Sequence, residues 1–169
     1  MTDIELMRRA AEIAGNTKCW IGIGCVIAKD GQIISEAWNE TLKGEEYCLK
    51  FRNREVKKGP LPLGEAGPYQ NRGCVRHDLG LSQGKEIEKA CSVHAEVNVI
   101  SKAARQGIKV EGATMFVTSF PCLICMRSII PAGIKKVIYM NDFYKPHHLE
   151  LFKKNRVEVK QIPENIVWK

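Results

Sequence analysis

The sequence has no apolar run approaching the length of a membrane span. Its opening residues, Met1-Thr2-Asp3-Ile4-Glu5-Leu6, lack the basic flank and apolar stretch of a secretory signal. Both absences predict a cytoplasmic protein without a membrane partner. No internal repeat or low-complexity tract interrupts the 169 residues, so a single domain over 1–169 is expected. Aromatic residues are few and are not interleaved with basic ones, which argues against a nucleic-acid-binding module. Gly22 and Gly24 form a G-x-G with no third glycine and no following helix signal, which argues against a dinucleotide loop.

Cysteine, by contrast, is abundant. There are seven, an odd number from which a full set of disulfides cannot be drawn. In a reducing compartment, clustered cysteines more often hold metal. The net charge of +7 favours anionic partners, although the Lys and Arg residues are scattered and also fit a plain solvated surface.

Residues 3–14 place Ile4, Met7, Ala10, Ala11 and Ala14 at helical spacing before Gly15-Asn16, predicting an N-terminal helix. Apolar segments at 21–28 and 32–38 around Asp30-Gly31 predict a hairpin. From 39 to about 88, glycine and proline recur without apolar periodicity. This stretch reads as a long irregular insertion, ordered by function or by a cross-link. Helical periodicity returns over 93–105, with Val97, Ile100 and Ala104 on one side. A strand over 113–118, a helix over 121–132 opened by Pro121, and a strand over 135–140 follow. The tail offers a short helix over 148–154 and a strand over 157–162. Alternating helix and strand predict an α/β fold with a central sheet covered by helices on both sides.

The chemistry concentrates in His94-Ala95-Glu96 and, one strand later, Pro121-Cys122-Leu123-Ile124-Cys125. Cysteines three apart at a helix start present both sulfurs to one side, and the positive helix end favours thiolates. His94 adds a neutral imidazole nitrogen, giving three protein ligands of the tetrahedral four that zinc prefers, with one position left for water. Glu96, two residues after a ligand and itself free of the metal, is placed to carry protons between that water, a ring nitrogen and a departing amine. A lone C-x-x-C is more often a structural half-site, and an isolated His-x-Glu is close to noise. The two together match the signature of zinc-dependent deaminases.

The chain resembles the cytidine/deoxycytidylate deaminase superfamily, and most closely its deoxycytidylate (dCMP) branch. The resemblance rests on residues 112–125, Gly-Ala-Thr-Met-Phe-Val-Thr-Ser-Phe-Pro-Cys-Leu-Ile-Cys, and on Ala132-Gly133-Ile134-Lys135-Lys136-Val137-Ile138-Tyr139. Gly73-Cys74-Val75-Arg76 and His94-Ala95-Glu96-Val97-Asn98 add to it. It implies a three-layer α/β/α fold with a mixed five-stranded sheet, a catalytic zinc on His94, Cys122 and Cys125, and conversion of dCMP to dUMP with release of ammonia. Homo-oligomers are common in the branch, and dCTP and dTTP control some members. Alternatives are deamination of cytosine, cytidine or a purine, or of nucleic acid. The run Ala37-Trp38-Asn39-Glu40-Thr41 departs from the branch's Gly-Tyr-Asn-Gly-x-Pro. Only Asn39 is kept, and Glu40 brings a negative charge to where a phosphate would approach.

The resemblance also suggests roles for further residues. Asn39, Ala95, Ser119 and Phe120 are candidate substrate contacts, with a turn residue and a core aromatic as the plain alternatives for Asn39 and Phe120. A second, structural zinc could draw on Cys19, Cys48, Cys74, His77 and Cys91, against the alternative of buried thiols acting as small hydrophobes. Cys25, inside an apolar strand, reads as core. His147-His148 reads as a surface pair, because neighbours on a helix face different ways.

Overall fold

The computed structural model describes residues 1–19, 21–42, 92–142 and 148–168. Helix α1 (Asp3–Ala14) opens on a capping box: Glu5 N–H donates to Thr2 Oγ1, and Thr2 N–H donates to the Glu5 carboxylate. Strands β1 (Gly24–Lys29) and β2 (Gln32–Trp38) form the expected hairpin. Its two-residue turn places Asp30 at φ 50° and Gly31 at φ 71°, the left-handed pair that an Asp-Gly hairpin requires. Two short strands, β3 (Glu40–Thr41) and β4 (Ser92–Val93), pair antiparallel with each other. Helix α2 (Ala95–Arg105), strand β5 (Thr114–Ser119), helix α3 (Leu123–Ile129) and strand β6 (Lys136–Asn141) follow. The chain continues through helix α4 (Leu149–Lys154), strand β7 (Glu158–Gln161) and helix α5 (Glu164–Val167).

The sheet order is β2-β1-β5-β6-β7, with β2, β1 and β5 joined antiparallel and β5, β6 and β7 joined parallel. Alternation within each central strand feeds two separate cores. Val26, Ala28, Phe116, Ile138 and Met140 pack with α1 and with Val167 of α5. Cys25, Ile27, Met115, Val117, Val137 and Tyr139 pack with residues of α2, α3 and α4. Strands buried on both faces explain why β1, β5 and β6 read as nearly continuous apolar runs. Helix α1 lies so close to β1 that a side chain on Gly24 would overlap the Ala10 carbonyl oxygen.

The three-layer architecture is the one expected, with local corrections. Val93 belongs to a strand, and α2 buries Ala95, Val99 and Ala103 while Ala104 is exposed. The packed stripe of α2 is set by contact with β2 and lies to one side of the Val97–Ile100–Ala104 line. Helix α3 starts at Leu123, with Cys122 at its N-cap and Pro121 one residue earlier, so Pro121 is outside the helix. Ile4 is exposed, whereas Leu6 and Ile13 are buried. The insertion expected from 39 begins with an ordered corner, Asn39 and β3. Its remainder, 43–91, lies outside the described residues. No helix among the described residues is long and apolar enough to cross a membrane.

Candidate metal centre and active site

His94 and Cys122 occupy equivalent places in the fold. Each is an N-cap in extended conformation, His94 at φ −65°, ψ 146° before α2 and Cys122 at φ −71°, ψ 167° before α3. An N-cap side chain ordinarily accepts a bond from its own helix, and neither of these does so. They turn toward each other instead. His94 Nδ1 lies 3.3 Å from Cys125 Sγ and 3.5 Å from Cys122 Sγ, and the two sulfurs are 3.5 Å apart. Ligand bonds of about 2.0–2.3 Å in a tetrahedron imply edges of about 3.5–3.8 Å, so this triangle fits zinc with little adjustment. Among the described residues these three form the one His/Cys/Asp/Glu group able to hold a metal ion.

The local electrostatics suit a cation. The Cys122 thiol is lowered to about 4 by its hydrogen bond with Cys125 and by His94, against the opposing effect of burial. Cys125 is raised, first by that same bond and then by burial. Glu96, the second residue of α2, is buried at 4% exposure. Burial raises its carboxyl above the usual range, opposed by the charge on His94, and it hydrogen-bonds with Cys125. A carboxyl whose proton affinity is raised by burial, beside a metal-ligand triangle, can both take and return a proton. Cys25 lies in the core below, its thiol pushed well up by burial and by the Glu96 charge.

The other candidates divide. Ala95 and Ser119 are both buried, Ala95 next to His94 at the first residue of α2 and Ser119 at the last of β5. Phe120 is 2% exposed, its ring edge-on to Tyr139 at 4.9 Å and to Phe152 at 6.4 Å. Its backbone N–H donates to Asn141 O. Phe120 thus forms part of the core that backs the cysteine turn. Asn39 is buried, with Oδ1 accepting from Ile23 N–H at 2.9 Å and Nδ2 donating to Ile21 O at 2.8 Å. Its carbonyl accepts from the Thr17 hydroxyl at 2.6 Å. Of the candidates for a second metal, Cys19 is half-buried near the Ser92 hydroxyl. Cys48, Cys74, His77, Cys91 and also His147 lie outside the described residues. Sequence reasoning gave Asn98 no role, yet its side chain bonds both Trp38 O and Glu40. Its position four residues after His94 was the available signal.

A family model described as the cytidine and deoxycytidylate deaminase zinc-binding region matches residues 1–141. The chain is 33% identical over 167 residues to the deoxycytidylate deaminase of Enterobacteria phage T2, covering 90% of this chain and 87% of that one. It is 28% identical over 143 residues to ComE operon protein 2 of Bacillus subtilis, covering 84% of this chain but only 60% of that protein. The fold is similar to a crystal structure of dCMP deaminase from the cyanophage S-TIM5 in complex with dCMP and dUMP. There the TM-score is 0.66 at 22% identity, covering 96% of this chain and 99% of that one.

Proposed function

This chain belongs to the cytidine and deoxycytidylate deaminase zinc-binding family, and from that premise we propose that it hydrolyses dCMP to dUMP and ammonia. The observation that carries the proposal is the His94–Cys122–Cys125 triangle with the buried Glu96 carboxyl against it. These three side chains would hold zinc, which when bound supplies the Lewis-acid chemistry that makes water nucleophilic at neutral pH. Glu96 then acts as the proton carrier. It takes a proton from the attacking water, delivers one to the ring nitrogen next to the reacting carbon, and assists departure of the amine as ammonia. Desolvation of its carboxyl brings its proton affinity closer to neutrality, which suits two-way transfer. Ala95 and Ser119 are proposed as close contacts of the base. Asn39 is proposed to shape the pocket through the backbone of 21–23, its amide being already engaged there.

Ammonia release from purified protein, measured on dCMP, dCTP, deoxycytidine, cytidine, cytosine and adenine compounds, tests the reading. Highest kcat/KM on dCMP supports it, and no release from any compound would end the deaminase proposal. Preference for cytidine or a purine would leave the chemistry and change the substrate. We propose in addition, from the family resemblance, a homo-oligomer in the cytoplasm. A monomer by light scattering would remove the first of these.

A further inference from the structure

We propose that Asn98 is a positioning residue for Glu96, a role that rests on the deaminase reading. The side-chain amide Nδ2 donates to Trp38 O at 3.0 Å and to Glu40 Oε2 at 3.4 Å, so both hydrogens of one group reach the corner between β2 and β3. The backbone N–H of Asn98 donates to His94 O at 2.9 Å, closing the first turn of α2. Residues four apart share a helix face, so Asn98 sits one turn beneath the His94 position, and Glu96, two residues from each, lies around the axis on the same first turn. On the other side of His94, Val93 is paired in register with Glu40. The corner between β2 and β3 therefore grips the chain just before His94, through β3, and again one turn after it, through Trp38 and Glu40. The corner it belongs to is fixed in turn by Asn39, whose amide spans Ile21 and Ile23.

This grip controls the rotation of the first turn about the helix axis. Side-chain ends lie about 5–6 Å from that axis, so a rotation of about 10° moves them by about 1 Å. Misplacement on that scale can cost about 10²-fold in rate. His94 has a second restraint, because a bound metal draws it into place. Glu96 would not be a ligand and is tied to the site only through its hydrogen bond with Cys125, so loss of the grip should fall on proton transfer more than on metal binding.

Two further bonds hold α2 to β2 farther along: Ser35 Oγ donates to Val99 O and Lys102 Nζ donates to Glu36 O. They provide the comparison. Purified, zinc-loaded wild type, Asn98→Ala, Asn98→Gln and Lys102→Met are assayed for kcat and KM on dCMP, zinc content and melting temperature. The expected result for Asn98→Ala is a kcat lower by about tenfold or more, with KM and zinc content within about twofold of wild type. Asn98→Gln, which restores a donor, recovers part of the rate. Lys102→Met lowers the melting temperature and leaves kcat unchanged. If Asn98→Ala does not fold, Asn98→Ser carries the same comparison. The proposal is overturned if kcat is unchanged in the Asn98 variant, if zinc content falls in proportion to kcat, or if Lys102→Met loses rate equally. A wild type silent on every nucleotide overturns instead the deaminase reading on which it rests.

Discussion

At the scale of single residues, the site depends on groups whose surroundings leave them few other roles. Glu96 is enclosed, desolvated and set against the sulfur of Cys125. Glu96→Gln keeps its shape and removes its proton exchange. That variant should bind zinc normally, as read by elemental analysis, while kcat falls on the order of 10²- to 10⁴-fold. A kcat within about tenfold of wild type would remove Glu96 from the mechanism. Asn39 illustrates a different dependence. Both ends of its buried amide are bonded to backbone, so Asn39→Ala strands Ile23 N–H and Ile21 O. The expected cost is about 1–3 kcal/mol in denaturant unfolding. A loss of activity without a loss of stability would instead make Asn39 a direct substrate contact.

At the scale of elements, two helix N-termini are brought to one point by the sheet face on which both helices pack. Helix α1 fixes the opposite face through its close approach at Gly24, where any side chain meets backbone that cannot turn aside. Gly24→Ala should therefore cost at least about 1–3 kcal/mol, with a lowered unfolding midpoint as the readout. A midpoint equal to wild type would mean that α1 yields without strain. Arg9 of α1 also forms a two-pronged ion pair with Glu36 of β2, at 2.8 and 2.6 Å. The hydrogen bond from Arg9 lowers the Glu36 carboxyl below 4.5. A depressed folded-state pKa contributes stability above the unfolded value, and the contribution disappears as pH falls through the folded one. Both partners are partly exposed, so the pair is worth no more than about 1 kcal/mol. Glu36→Gln should be less stable than wild type at pH 7, and the difference should shrink as the pH falls from the ordinary carboxylate range through the lowered folded-state one. A difference that persists in acid would assign the effect to shape.

At the scale of the whole molecule, metal and fold are linked, because a folded triangle binds zinc and an unfolded chain does not. Chelation should abolish ammonia release and lower the melting temperature, and added zinc should restore both. The number of zinc ions per chain decides the fate of the remaining cysteines. Two would support a structural centre that includes Cys19 and residues of 43–91, and one would end that idea.

Much of this was legible in the residues alone. Turn chemistry at Asp30-Gly31, the two-sided apolar strands and the spacing of His94, Glu96, Cys122 and Cys125 are local signals, and local physics gives them one reading. The packed stripe of α2 was not legible, because it depends on which neighbour the helix meets. Phe120 had two sequence readings, and its edge-on contacts with Tyr139 and Phe152 place it in the core. Asn39 likewise is seen holding the lead into β1, a contact that spans 16 residues of sequence. The sequence by itself determined the spacing of the proposed ligands and proton carrier and the order of helices and strands, since chemistry and periodicity depend on residue identity and short spacing. Only the tertiary structure decided that the N-cap side chains of two separate helices face one another within 3.5 Å, and that Asn98 ties one of those helices to a distant corner. Both are relations between residues far apart in the chain, and packing of helices on one face of the sheet brings them together.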